Sequence, residues 1–520
     1  MHLSLPAITA LARAGALNRA WAAFAAGGYA ARLDDPAALA VKGRLTKDRA
    51  LLASGAERVA LLQEAASAYA AAHAITPAPY LLINVATLTA LAGNAAKAAS
   101  LAQDVLTLLD STANETPYYL SATRAEALLL CGDLSGAAKA FSAAITADRE
   151  SWRDHASSIR QFTLIANALG CGTAWLDGLR PPRSLHFVGH MGIASGGKSE
   201  RALAAAADAI IREQNIGFGY GAIAAGADII LAERIIAAGG ELHIILPVSA
   251  ETFAAQSVAR AGTGWLDRYH ALLGAAASVS ALAAVSDGHE PLATALGGQV
   301  AMGAARLNAQ TLASKALQLV IVDQDGGGAN TAWQAQQWTQ TGGKQIQLTI
   351  ARDDASFPAA HTAAPLDPGR HLCAMLHFAM PETAFSSGAL QDQVGRFAGA
   401  VGIEGRLFAM PDVNAWLIGF DRIDAALSVA ARLRRVGAGT LSGHFGIACR
   451  IEDSLSGGTL AYGPDVESCR DLAHSALPGT FTVSYSFAAS MALGDYPNWR
   501  TEPIGDAEDG TAARFALIAC

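Results

Sequence analysis

Charge is scarce in this chain. Asp, Glu, Lys and Arg make up 16% of its 520 residues, with 37 basic and 45 acidic side chains giving a formal net charge of −8. No long basic block is present, which argues against nucleic acid, and equally against a polyanionic surface, as a partner. Cysteine is scarce too. Six are spread over positions 131, 171, 373, 449, 469 and 520, with no C-x-x-C pair. That spacing argues against a disulfide framework or a structural zinc site and suits a reducing cytosol. Long apolar runs are missing: ALLGAAASVSALAAV (271–285) is too short and too rich in Ala and Ser to span a bilayer. The opening stretch, MHLSLPAITALARAGALNRAW, carries arginines inside its apolar part and lacks a signal-peptide pattern. A cytoplasmic protein without a membrane partner is expected, and its length calls for two to four domains.

What is present begins with a weak internal repeat. LARAGALNRAWAAF, LLASGAERVALLQEA, LTALAGNAAKAASLA, LLLCGDLSGAAKAFSAA and IANALGCGTAWLD share a glycine at 15, 55, 93, 132 and 170, at intervals of 40, 38, 39 and 38. Each glycine separates two Ala/Leu-rich helical patterns, where it ends one helix and lets the next fold back. A period of this size marks a solenoid of helical hairpins, the alternative being an irregular Ala-rich helical domain. The pattern resembles tetratricopeptide repeats with slightly lengthened units, and such repeats imply a protein partner. This all-α region is expected over 1–178.

At Pro181-Pro182 the texture changes. Short apolar runs (LHFVG, HIILP, LQLVIVD, IQLTI) alternate with helical stretches, the signature of βαβ units and a buried parallel sheet, expected over 179–355. Here Gly192 to Ser199 satisfies the phosphate-loop spacing G-x-x-x-x-G-K-[ST]. In a phosphate-loop ATPase Lys198 would hold phosphates, Ser199 would ligate Mg²⁺, and Asp323, ending LQLVIVD, would be the acidic residue of another strand. The loop begins with a His-Met pair, and the sequence shows neither a second acid nor a water-positioning residue.

A second stretch, FGYGAIAAGADIILAERIIAAGGELHIILPV (218–248), points to a different ligand fold. It resembles the SLOG superfamily, which includes the DNA-processing protein A and the lonely-guy nucleotide hydrolases. The resemblance rests on the strand–glycine–helix core, G-x-D at the helix start and the GG-x-x-x-x-x-LP continuation, and it covers about 170 residues. It implies a Rossmann-like α/β domain that binds nucleotides or nucleotide-derived signals at the carboxyl ends of its strands. Glycines let a ligand approach the backbone, and exposed helix N-termini favour anions. The ligand-binding candidates are Gly189, His190, Gly192, Gly197, Lys198, Ser199, Gly219, Gly221, Gly226, Asp228, Glu233 and Asp323. Asp228 reads equally as an acceptor of ribose hydroxyls and as a helix cap. Glu233 stands where a lonely-guy hydrolase places a catalytic acid, but the P-G-G-x-G-T-x-x-E signature is absent and a solvated helix-face glutamate is favoured. His190 reads equally as a ligand contact and as a hydrogen-bonded strand end.

The third region, 366–495, mixes strands (HLCAMLHF, AWLIGF, HFGIAC, FTVSYS) with helices in an α+β pattern. AYGPDVESCRDLAHSALPGTFTVSYSFAASMAL (461–493) is similar to the end of class III adenylyl/guanylyl cyclase domains, which places CAMLHFAMPETAFS on the first strand and DVNAWLIGFD on the central hairpin. Cyclase chemistry needs two carboxylates holding divalent ions. By this resemblance those positions are Ala379 and Asn414, between Val413 and Ala415. The transition-state Asn and Arg positions are Glu467 and Asp471, with Arg470 one place early. Asp412 would serve as a ligand only with a two-residue shift that breaks the hairpin register. The region is therefore expected to be a degenerate cyclase domain without metal or catalytic residues, retained for homodimerisation. Residues 496–520 are expected to be a tail. The whole is expected to be a multidomain cytoplasmic signalling or scaffold protein that senses a nucleotide-type ligand, with no cofactor fixed by the sequence. The alternatives are an enzyme (a phosphate-loop NTPase, a nucleotide N-glycosidase or a residual cyclase) and a purely structural assembly protein.

Overall fold

The structure, a computed structural model, describes residues 3–112, 115–282, 291–324, 326, 328–353, 369–380, 389–436, 439–454, 457–477, 479–504 and 514–519. They form two compact units, one of residues up to 181 with 311–313, the other of 182–310 and 314–519. Among the described residues no helix is long and apolar enough to cross a membrane.

The first unit is helical: α1 (Leu5–Arg13), α2 (Leu17–Ala26), α3 (Pro36–Leu52), α4 (Gly55–Ile75), α5 (Pro79–Leu91), α6 (Ala95–Asp110), α7 (Pro117–Leu130), α8 (Leu134–Ala147) and α9 (Trp152–Leu169). The five repeat glycines all have positive φ, between 57° at Gly55 and 92° at Gly93. A Cβ at 55, 93, 132 or 170 would meet nothing within 4 Å, so backbone conformation rather than space selects glycine there. Around them the amide five residues on returns to the helix: Ala16 N to Leu11 O, Asn94 N to Thr89 O, Asp133 N to Leu128 O and Cys171 N to Ala166 O, at 2.9–3.1 Å. Asn94 and Asp133 then cap the next helix, accepting from Lys97 N (3.1 Å) and Gly136 N (2.8 Å). A Gly-Asn or Gly-Asp pair thus closes one helix and opens another.

Alternate helices of this unit also meet through a polar cluster. Glu126 on α7 accepts from Thr87 Oγ1 on α5 (2.6 Å) and Gln161 Nε2 on α9 (3.0 Å), while Lys47 on α3 donates to Gln161 Oε1 (3.4 Å). Burial pushes the Glu126 carboxyl up and the Lys47 ammonium down, and the two charges oppose that by attracting each other. Neither side chain is wholly removed from solvent. Lys47→Met should therefore cost about 2–3 kcal/mol, between an exposed pair at ~1 and a fully buried one at ~3–5. Adding Glu126→Gln should recover part of that loss, which a four-member urea-unfolding cycle reads directly.

The second unit holds two sheets. The first is parallel, ordered β4-β3-β2-β1-β5-β6. Its strands are β1 (Arg183–Gly189), β2 (Ile216–Gly221), β3 (Glu241–Leu246), β4 (Ser278–Ala281), β5 (Ala316–Val322) and β6 (Lys344–Thr349). The connecting helices are α10 (Lys198–Glu213), α11 (Ala227–Ala237), α12 (Ala250–Ser257), α13 (Thr263–Ala275), α14 (Pro291–Thr311) and α15 (Ala329–Gln340). Gly189 and Gly219 face α11, through Ala227 and Ile235, and Phe187 points the same way. Ser184 and His186 face the other side, towards Asn308 of α14 and Trp338 of α15. On that side half-buried Gln345 donates to buried Gln318, which in turn bonds buried His186, and burial drives the His186 pKa down to about 3.

The second sheet runs β13-β14-β12-β10-β7-β9-β8, with β11 pairing only β10. It comprises β7 (Arg370–Ala379), β8 (Arg406–Asp412), β9 (Ala415–Phe420), β10 (Thr440–Glu452), β11 (Thr459–Tyr462), β12 (Phe481–Ser484), β13 (Trp499–Ile504) and β14 (Arg514–Ala519). Its helices are α16 (Ala389–Val401), α17 (Ile423–Val436), α18 (Pro464–Ser475) and α19 (Tyr485–Leu493). All pairings are antiparallel except β10 with β12. The expected tail at 496–520 is corrected here: Trp499–Ile504 and Arg514–Ala519 are strands. RFALIA supplies buried Phe515, Ala516 and Leu517, and β14 pairs along β12, whose free edge needs a hydrogen-bonding partner. The two sheets share a helix contact, for α14 and α19 touch at Gly303, where a Cβ would stand 2.0 Å from Ala489 O.

Candidate functional site

Strand order reverses between β1 and β5: β2, β3 and β4 follow on one side, β6 on the other. At such a reversal the loops leaving the two central strands turn apart and open a crevice at their carboxyl ends. The loop from β1 carries His190 and Gly192 and ends at Gly197, which precedes the first turn of α10. Gly192 (φ 93°), Gly196 (72°) and Gly226 (95°) take a backbone conformation that L side chains rarely adopt. A Cβ on Gly226 would lie 3.0 Å from His190 O and 3.2 Å from Met191 Cα, so the two glycine loops are in contact. The loop after β5 begins at Asp323, whose backbone bridges to Gly326.

Side chains tie this edge together. Asp228 Oδ1 accepts from Gly189 N (2.9 Å), and its carboxyl also accepts from Ala224 N; burial raises its pKa to about 8 despite both bonds. It makes no side-chain cap to α11 and is inside the protein, locking the end of β1 to the loop before α11. The His190 ring nitrogens lie against Met191 O (2.8 Å) and Ile350 O (3.0 Å). Ser199 Oγ donates to Asp353 Oδ1 (2.7 Å), and Asp353 Oδ2 accepts from Ala194 N (3.0 Å). Asp323 pairs with Arg352, and Glu200 accepts from Gly196 N. Glu233 is gripped by Arg268 through two bonds (2.7 and 2.6 Å), and the same guanidinium reaches Glu200 at 2.8 Å while stacking over Trp265. Lys198 is exposed and makes no hydrogen bond or ion pair with the described residues.

Of the candidates from sequence, Gly189, His190, Gly192, Gly197, Lys198, Ser199, Gly226 and Asp323 belong to this carboxyl edge. Asp228 is there too, but as a buried brace. Glu233 is partly exposed but not free; it is held by Arg268. Gly219 and Gly221 are not brought to the crevice. They lie within β2, where a Cβ would meet Ile235 at 2.4 Å and Phe187 at 2.7 Å, so packing selects them. Sequence reasoning missed Arg268, Arg352 and Asp353. The last two follow the strand IQLTI after Ala351, and their place near a strand's carboxyl end was the available signal; Arg268 carried none.

In the second sheet, register brings Ala379 and Asn414 to one strand end. Ala379 pairs with Ala415, Met380 N donates to Asn414 O (3.0 Å), and Asn414 turns the β8–β9 hairpin at φ 54°. Asp412 accepts from Arg470 Nε (2.8 Å) and lies 3.5 Å from His377, and Arg470 also holds Glu467 (2.6 Å). Part of CAMLHFAMPETAFS (381–386) and Pro478 lie outside the described residues, as do Asp325 and Gly327 of the β5 loop.

A family described as Tetratricopeptide Repeats-Sensor matches residues 5–89. The N-terminal region therefore carries tetratricopeptide-like repeats, a class of fold associated with protein–protein contacts. No curated protein matches the chain. Among solved structures, the chain is similar to the guanylate cyclase domain of RhGC from Catenaria anguillulae in complex with GTP, at 12% identity over 29% of this chain and 98% of that one, with a TM-score of 0.25. It is likewise similar to the adenylyl cyclase CyaB from P. aeruginosa, at 9% identity over 30% of this chain and 97% of that one, with a TM-score of 0.25.

Proposed function

We propose that the chain is a cytoplasmic signalling or scaffold protein. Its helical repeats bind a protein, its SLOG-like crevice binds a nucleotide or nucleotide-derived ligand without turning it over, and its cyclase-like region assembles a homodimer. The observation carrying the ligand reading is the glycine loop that leaves β1 at the reversal of strand order, packed against the glycine loop before α11 and beside Lys198, which is exposed and unpaired among the described residues. Backbone amides and a lysine at that place suit a phosphate.

Binding without hydrolysis is favoured by what surrounds Ser199 and Asp323. A phosphate-loop enzyme leaves that hydroxyl and that carboxylate for Mg²⁺. Here Arg352 already pairs with that carboxylate, so the acid a Mg²⁺ site needs is neutralised. Against cyclase activity stand the residue types Ala379 and Asn414, which cannot replace two metal carboxylates.

Lys198→Ala should weaken ATP or ADP binding by about 1–3 kcal/mol, the worth of a charge-assisted hydrogen bond, and leave the fold intact. Titration calorimetry with phosphate release followed in parallel checks this. Steady ATP hydrolysis, lost in both Lys198→Ala and Asp323→Ala, would favour the phosphate-loop enzyme instead.

A further inference from the structure

We propose that Asp353 is an internal competitor for the glycine-loop crevice, and that a phosphate-bearing ligand binds by displacing it. The inference rests on the ligand reading above and concerns how that site is regulated. Three of the loop's donors are already in use by carboxylates. Asp353 takes Ala194 N through one oxygen (3.0 Å) and Ser199 Oγ through the other (2.7 Å). Its own amide donates to Gly192 O at 2.9 Å. Glu200, from the first turn of α10, takes Gly196 N.

The fit around Asp353 is close, for a Cβ on Gly197 would stand 3.1 Å from Asp353 Oδ2. An anion at these donors therefore has to share them with a like charge or evict it. Both carboxylate and phosphate oxygens accept from the same amide and hydroxyl groups, and their repulsion in one pocket excludes sharing. Asp353 is exposed, so it regains hydration when it leaves. Lys198 supplies the positive charge that distinguishes the incoming ligand.

Displacement has a consequence along the chain. Asp353 follows β6 and precedes β7, so it sits on the connection between the parallel sheet and the second sheet. Its three bonds fasten that connection to the ligand loop. A ligand that takes the two donors leaves only the bond to Gly192 O, and occupancy of the crevice is thereby reported at the start of that connection.

The test is calorimetric titration of the full chain with inorganic pyrophosphate, together with the rate of tryptic cleavage after Arg352. Asp353→Ala and Asp353→Asn should each bind about tenfold more tightly than the parent; the Asn variant keeps an acceptor oxygen and tests charge alone. Pyrophosphate should speed cleavage of the Arg352–Asp353 bond in the parent, and Asp353→Ala should be cleaved fast without it. Lys198→Ala should weaken binding in either background. If Lys198→Ala weakens binding but neither Asp353 variant binds more tightly, the site stands and the competition is wrong. Weaker binding by both Asp353 variants would make Asp353 a support of the loop and would equally overturn the proposal. If neither the parent nor the Asp353 variants bind pyrophosphate, the ligand reading fails and takes the inference with it.

Discussion

Alanine at position 303 is expected to destabilise the second unit by about 3 kcal/mol or more, the severe end of overpacking. Within a helix Gly→Ala ordinarily gains up to ~1 kcal/mol, because glycine gives up more backbone freedom on folding. The sign reverses here because the new methyl would stand 2.0 Å from Ala489 O and 2.4 Å from Ala489 C. Those are backbone atoms of α19, a helix buried along its length, and they cannot swing aside as a side-chain tip does. The strain spreads into neighbouring contacts: Arg306, one turn on, donates to Leu493 O (3.0 Å) and lies over Trp338. Gly399→Ala in α16 is the control, since a Cβ there meets nothing within 4 Å. It should be neutral or slightly stabilising, and urea-unfolding midpoints of the two variants should move in opposite directions or differ widely.

Stability should fall as pH rises from 6.5 to 8, by about 2 kcal/mol, because of Asp228. Its carboxyl has a folded pKa raised to about 8, chiefly by burial, against an ordinary value of 3.8. Between those values the folded chain holds a proton that the unfolded chain has released, so the folded state binds more protons and stability declines with pH. One unit corresponds to about 1.4 kcal/mol, and the decline ends above the folded pKa, where both states are ionised. Asp228→Asn removes the titration but retains an oxygen to accept from Gly189 N. The variant should lose this slope and be more stable than the parent at pH 8.5. An unchanged slope in Asp228→Asn would show that the carboxyl is ionised in the folded protein throughout this range.

Much of the first unit was legible in the sequence because its signals are local. A glycine every 38 to 40 residues, followed by Asn or Asp in two cases, specifies a helix end, a positive φ and the next cap without help from distant residues. The alternation of short apolar runs with helices announced the parallel sheet for the same reason. The polar cluster of Lys47, Thr87, Glu126 and Gln161 was not legible, since its members lie on four different helices and only packing brings them together.

At the crevice the division is similar. The sequence by itself determined which loops carry glycines and that Lys198 and Ser199 follow them. Tertiary structure decided what each side chain is for. Gly219 and Gly221 are written like ligand glycines but make room for Ile235 and Phe187, because the face of β2 they occupy is known only once α11 and β1 are in place. Asp228 has the spacing of a cap, but turns inward to the Gly189 amide at the end of β1 and the Ala224 amide of the loop before α11. Ser199 and Asp323 match a metal-binding pattern until Asp353 and Arg352, 154 and 29 residues away, arrive from the end of β6. The same holds at the far end of the chain, where a short apolar segment became a strand only because β12 offered it an edge. Spacing along the chain determines backbone conformation and caps; the partner of a buried or charged side chain is decided by which elements the fold sets beside it.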